Sequence, residues 1–293
     1  MTDLTFNDRQ AMRRARLSLI STAIRYILLC VVGFVMLYPL IWLVGASFKT
    51  NSEIFAGAGF LPENPTADGY IKGWQTSTPY TFGRFFWNSF LIILPKVIGT
   101  AISCTLAAYA FARFDFPLKK ILFGSVIAIL LLPNVVTRIP QYILFRDLGW
   151  LDSFLPLWVP SALAGDAFFV FMLVQFLRSL PTDMEEAARV DGANSLQTLI
   201  YIVVPMLAPA LISVCLFQFM WTMNDFLGPL IYLSSVDKYP VSLALKLSID
   251  TTEAFEWNRI LAMSVLTIAP ALIVFFAAQR YFIEGISSGG IKG

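Results

Sequence analysis

The chain has 293 residues, of which 57% are hydrophobic and only 14% charged, with a mean hydropathy of +0.71. A soluble domain carries about a quarter charged residues, so this composition excludes one and points to an integral membrane protein, with apolar runs long enough to cross ~30 Å of hydrocarbon. A net charge of +2 is too small to suggest nucleic acid, and the absence of histidine removes the commonest metal ligand and the usual partner of a serine or cysteine nucleophile.

Taken in order, the hydropathy pattern predicts an all-α membrane protein, a bundle of six transmembrane helices. The spans run Tyr26–Ser47, Phe86–Phe111, Ile121–Thr137, Phe154–Leu177, Met206–Leu230 and Ile260–Phe282. Residues 1–25 form an N-terminal segment, 26–282 a six-span transmembrane domain with an inner loop at 179–205, and 283–293 a C-terminal tail. Arg13, Arg14 and Arg16 lead into a full-length span with no small-residue cleavage site, so no cleavable signal is expected. Pro133 and Arg138 crowd the end of the third span, and Pro95, Pro160, Pro209 and Pro270 predict kinks that neighbouring helices can tolerate. Cys30, Cys104 and Cys215 all fall in apolar segments and read as small hydrophobes.

Orientation follows from the basic residues. With the N-terminus inside, twelve Lys and Arg flank the inner span ends and eight are spread over longer outer loops. All seven tryptophans then map to outer loops or outer halves of spans. Both termini are expected to be cytoplasmic. The outer segments 48–85, 138–153 and 231–259 are the sizeable soluble parts, and the first, rich in Gly, Pro, Asn and Thr, reads as irregular, partly ordered loop.

Between the fourth and fifth spans lies a polar island, Glu185-Glu186-Ala187-Ala188-Arg189-Val190-Asp191-Gly192. Thr182 and Glu185 have capping-box spacing, Asp183, Glu185 and Glu186 complement the helix dipole, and Gly192 suits a left-handed helix terminus. Asn194 or Ser195 can start a second short helix towards Pro205. The competing reading, an amphipathic loop resting on lipid, calls for large apolar residues with Lys or Arg on the polar face. This stretch carries alanine and carboxylates, which favours docking to another protein.

Polar groups inside spans are costly and therefore informative. Lys96 and Asp166 lie roughly 15 and 18 Å from the outer ends of their spans at 1.5 Å per residue, so they either pair or line a common cavity. On the fifth span Gln218, Trp221 and Asp225 share one helical face, with Asn224 beside them. That face suits sugar stacking and hydrogen bonding, or equally the gluing of helix to helix.

Glu186-Ala187-Ala188, three residues, Gly192, nine residues, then Ile202-Val203-Val204-Pro205 resembles the EAA pattern of permease subunits of bacterial ABC importers, with Val204 where leucine is usual. Asn88-Ser89, the run Ala107 to Phe114, Trp221 with Asn224-Asp225-Phe226, and the C-terminal Gly285 to Gly293 are similar to the second, six-span permease of its maltose-type carbohydrate branch. The resemblance implies two related permeases, two cytoplasmic ATP-binding subunits and an extracytoplasmic solute-binding protein that delivers a carbohydrate. It implies a cytoplasmic coupling helix that meets the ATPase through Glu185, Glu186, Ala187, Ala188, Asp191 and Gly192, and a tail that reaches the ATPases through Gly289, Gly290 and Lys292. The polar groups Lys96, Asp166, Gln218, Trp221, Asn224 and Asp225 are the pathway candidates, and the resemblance allows acidic oligosaccharides or glycerol phosphates as alternative cargo. No G-x-x-x-x-G-K-[ST] loop occurs, so ATP and Mg are expected on the partner, with no cofactor held by this chain. An ion-coupled secondary transporter would show inverted repeats and broken helices, which the sequence does not display. An intramembrane enzyme lacks any H-E-x-x-H or recognisable aspartyl pattern.

Overall fold

The structure is a computed structural model that describes residues 6–57, 59–76, 78–250 and 256–289. All regular structure among them is helical. In chain order the helices are α1 (Phe6–Ala46), α2 (Asn51–Ala56), α3 (Asp68–Gln75), α4 (Phe82–Arg113), α5 (Lys119–Leu131), α6 (Asn134–Asp147), α7 (Leu155–Ala162), α8 (Ala167–Ser179), α9 (Asp183–Val190), α10 (Ser195–Thr198), α11 (Val204–Met223), α12 (Leu227–Tyr232), α13 (Val241–Asp250) and α14 (Trp257–Gly289). Five stretches are long and apolar enough to cross a membrane: Leu19–Ala46, Phe82–Arg113, Leu155–Ser179, Ser195–Met223 and Trp257–Gln279. A sixth is the pair Lys119–Leu131 and Val135–Asp147, bent by 109°.

The chain divides into two units, residues 1–70 with 256–265 and residues 71–255 with 266–293. In the first, the most apolar 18 residues of α1 bury no residue within the chain, as expected of a helix that meets lipid or another subunit. The end of α1 packs on the segment after it through Ala46 and a Tyr38–Phe60 ring contact at 4.8 Å. The segment after α1 is irregular between two short helices, α2 and α3, and is held by specific hydrogen bonds. Thr50 caps α2 through Glu53 N, Lys49 Nζ donates to Gly59 O at 2.6 Å, and the Ser47 and Tyr70 hydroxyls meet at 2.7 Å. Backbone hydrogen bonds found by short polar side chains thus hold in place a segment whose breaker content reads as loop.

In the second unit α4 is the central element, packed against α7, α8 and α11. The buried residues of α8 are Phe169, Val170, Leu173, Val174 and Leu177, a helical stripe facing Cys104 and Ala108 of α4 and Leu207, Ala210 and Val214 of α11. Small residues on α4 allow backbones to approach. A Cβ at Gly99 would lie 2.4 Å from Ala162 Cβ. Gly99→Leu should therefore cost ~1–3 kcal/mol or more by overpacking, read as a lowered thermal midpoint of the purified protein. Gly33, which has nothing within 4 Å, provides the neutral control. Equal midpoints for the two leucine variants would overturn the close approach.

Three departures from the expected spans matter. The fourth is not a continuous helix: it breaks between α7 and α8, where Ala164 takes a positive φ of 58° and Gly165 N returns to Pro160 O at 3.0 Å. Pro160 lacks a helical donor, and Ala164 N, turned out of the helix, finds an acceptor in Ser103 Oγ of α4 at 3.0 Å. The fifth begins earlier and ends earlier than Met206–Leu230. A capping box of Asn194 with Gln197 starts it, and the second short helix runs straight on into α11. The join is a π-helical turn at Leu199–Val203, with Val204 N bonding Leu199 O ahead of Pro205. It ends at Met223, and Asp225 Oδ1 accepts from Gly228 N at 3.0 Å to open α12. Finally, segment 138–153 is mostly α6 rather than soluble loop.

Candidate coupling surface and polar cavity

The polar island is helix α9. Its beginning differs from the expected capping box. Thr182 has φ −89° and ψ −10°, caps no backbone N–H, and donates to Glu186 Oε1 at 3.0 Å. Glu185 is turned inward instead of towards Thr182. It is only 3% exposed and accepts from Arg113 Nε at 2.7 Å, while Arg113 Nη2 donates to Leu180 O at 3.4 Å. Arg113 is the last residue of α4, so this buried pair fastens α9 to the end of the central helix. Glu185, expected among the docking residues, is therefore a positioning residue on the inner face. Arg113 was passed over in the sequence because it served there only as a topology charge.

The other end of α9 closes as its composition indicates. Ala193 N bonds Ala188 O at 2.9 Å and Gly192 N bonds Arg189 O at 3.1 Å, with Gly192 at φ 87°. This is the six-to-one, five-to-two pattern that a glycine at the helix terminus makes. Glu186, Ala187, Asp191 and Gly192 are exposed, and Ala188 is half-buried. Apolar side chains flank them: Met184 and Tyr201 are exposed, and Val190 is 88% so. A valine left bare on a polar helix is a contact waiting for a partner, and its neighbours in sequence are what hid it.

The intramembrane candidates separate into two groups. Lys96, Asp166 and Asp225 line one cavity of about 300 Å³, together with Arg138, Gln141 and Tyr232. Lys96 makes no ion pair or hydrogen bond among the described residues, so it lines the cavity with Asp166 without a direct bond between them. Asp166 sits at the start of α8, where the helix dipole favours its charge, and its Oδ2 accepts from Gln218 Nε2 at 3.0 Å. Gln218 is buried and also donates to Thr100 Oγ1 at 3.3 Å, so it glues α11 to α4 and α8. Trp221 points elsewhere, packing on Phe169 and Phe168 at 5.1 and 5.3 Å, and Asn224 folds back on Met220 O at 2.8 Å. The helical face expected to unite Gln218, Trp221 and Asp225 is broken because the helix stops before Asp225. Gly289 ends α14, while Gly290 and Lys292 lie outside the described residues.

At the opposite end of α4 from Arg113, a second polar lock joins the loop after α6 to the segment after α12. Asp152, at φ 53°, accepts from Ser234 N and Ser235 N at 3.0 and 2.9 Å, from Ser235 Oγ at 2.6 Å and from Lys238 Nζ at 2.7 Å. Partial burial opposes its charge, but the Lys238 ammonium and the hydrogen bonds of Ser235 and Ser234 outweigh it and hold the carboxyl well below the usual range. Because the folded value is depressed, the lock stabilises the fold fully above the unfolded carboxylate value of about 3.9 and is lost as pH falls from there towards the folded value. Asp152→Asn should lower stability at pH 7 by about 1–2 kcal/mol, and the gap to wild type should narrow below pH ~4, read from thermal unfolding across pH. A gap that is constant with pH would refute the charge.

The second unit thus combines membrane-length helices, a polar helix α9 with a bare outer face and a cavity lined by charged groups. Residues 99–288 match the family of binding-protein-dependent transport system inner membrane components. The chain is 33% identical to a probable ABC transporter permease of Pyrococcus horikoshii over 89% of its length and 94% of that protein. It is 30% identical to an arabinooligosaccharide transport system permease of Halalkalibacterium halodurans, over 89% and 93% of the two chains. In fold it is similar to a chain of a bacterial ABC transporter involved in import of the acidic polysaccharide alginate, with a TM-score of 0.79, 23% identity, and coverage of 96% of this chain and 100% of that one. The chain belongs to the binding-protein-dependent transport system inner membrane component family, the permeases of ABC importers.

Proposed function

We propose that this chain forms half of the translocation pathway of an ATP-driven oligosaccharide importer. Its partners are a second permease, two cytoplasmic ATP-binding subunits that carry ATP and Mg, and an extracytoplasmic binding protein. The observation that supports this best is α9, fastened to the central helix by the Arg113–Glu185 pair and bare on its outer face. A helix so held moves with α4 as one body, which suits transmission of ATPase closure to the spans. The carbohydrate cargo is carried over from the arabinooligosaccharide relative. The lipid bilayer surrounds the spans, with both termini on the α9 side.

In the reconstituted complex, Glu186→Lys and Gly192→Asp should each cut substrate-stimulated ATP hydrolysis at least tenfold while membrane insertion is unchanged. Wild-type coupling in both would refute the docking role.

A further inference from the structure

The cavity beside the α7–α8 break is charged yet balanced. Lys96 and Arg138 contribute two cations, Asp166 and Asp225 two carboxylates, and the four come from four separate parts of the chain. Neither cation has a hydrogen-bond or ion-pair partner among the described residues. Each carboxylate uses one oxygen internally, Asp166 Oδ2 on Gln218 and Asp225 Oδ1 on Gly228 N, and the other has no hydrogen-bond partner among the described residues. Gly228 makes this posture possible, since a Cβ there would lie 2.5 Å from Asp225 Oδ2. The same cavity is lined by Tyr232, which is 3% exposed and whose hydroxyl has no partner among the described residues. Its ring stands edge-on to Phe145 at 5.3 Å, an apolar wall next to the polar groups.

Resting on the importer reading above, we propose that this cavity is a sugar subsite selective for an uncharged polyhydroxy ring over an anionic one. Every sugar hydroxyl both donates and accepts. It can donate to the second carboxylate oxygen of Asp166 or Asp225 while accepting from Lys96, Arg138 or the Tyr232 hydroxyl. An anionic sugar gains from Lys96 and Arg138 but brings its carboxylate beside two others away from bulk water, where like charges repel strongly. A sugar with no net charge satisfies all five groups, and the volume of about 300 Å³ is at the small end of ligand pockets, suited to a short stretch of a chain rather than a whole oligosaccharide.

The test is equilibrium binding to the complete purified importer in nanodiscs, without the binding protein. The probes are labelled neutral trisaccharides (maltotriose, cellotriose, xylotriose and arabinotriose) and uronate trisaccharides (trigalacturonate and trimannuronate). The tightest neutral probe should bind at least tenfold better than either uronate. Asp225→Asn, which makes the cavity net positive, should narrow that ratio at least fivefold. Arg138→Gln and Tyr232→Phe should each weaken the neutral probe at least threefold, with assembly checked by size-exclusion chromatography. Wild-type preference for a uronate, no binding of any probe, or a ratio unmoved by Asp225→Asn would each overturn the proposal. ATP-dependent uptake by the same complex with its binding protein keeps the two readings apart. Uronate uptake leaves the importer reading standing and removes the neutral subsite, whereas no ATP-dependent uptake of any oligosaccharide removes the importer reading itself.

Discussion

Glu185→Gln is expected to abolish coupling while the spans still insert. The substitution leaves Arg113, itself only 8% exposed, charged at the end of α4 without its carboxylate. Breaking a buried pair on one side costs about 3–5 kcal/mol, which is comparable with the whole stability of many domains. Here the strain falls on the attachment of α9 and not on the core of α4, α8 and α11, so α9 should detach before the bundle unfolds. The expected outcome in the reconstituted complex is a loss of substrate-stimulated ATP hydrolysis of at least tenfold, together with faster proteolysis at residues 179–194. Arg113→Met combined with Glu185→Leu removes both charges and should restore part of the stability, because replacing a buried ion pair with apolar groups is often neutral or better. A Glu185→Gln complex that couples like wild type would show that the pair is dispensable.

The second large effect is expected at Lys96. Lys96→Met removes a cation that holds no hydrogen-bond or ion-pair partner among the described residues, so it should leave assembly intact. Insertion should even improve, since a lysine at the centre of a span costs ~2.5–3.5 kcal/mol. Uptake should nevertheless fall at least tenfold, because the cavity becomes net negative and loses one of its two cationic donors. The combination of unchanged or higher membrane yield with lost transport separates a pathway role from a structural one. Uptake within twofold of wild type would sink it.

How much of this was legible in the sequence depended on the range of the interaction involved. The helical terminus at Gly192 needed only a left-handed residue at the right place, and the positive φ is there. The Asn194 start of the next helix was equally local. The Thr182 cap failed because Glu185, which would have completed it, is drawn to Arg113 from 72 residues away. A buried charge-assisted bond outweighs an exposed cap of about 1 kcal/mol. The helical face uniting Gln218, Trp221 and Asp225 assumed a helix running on to Leu230. Asp225 instead lies beyond that helix, where its Oδ1 accepts from Gly228 N and it lines the cavity with Lys96. Arg138 and Tyr232 carried no pattern at all, since nothing within a few residues of either marks them as cavity groups.

The sequence by itself determined an all-helical membrane protein with a short polar helix between two spans, because hydropathy, helix period and glycine conformation act over a few residues. Only the tertiary structure decided which face of α9 is inward, where the fourth and fifth spans are interrupted, and which charges share a cavity. Those outcomes rest on partners supplied by distant segments, Arg113 to Glu185, Ser103 to the backbone of Ala164, and Gln218 to Asp166. Inside a membrane such groups have no water to fall back on, so long-range hydrogen bonds override local preference wherever the two disagree.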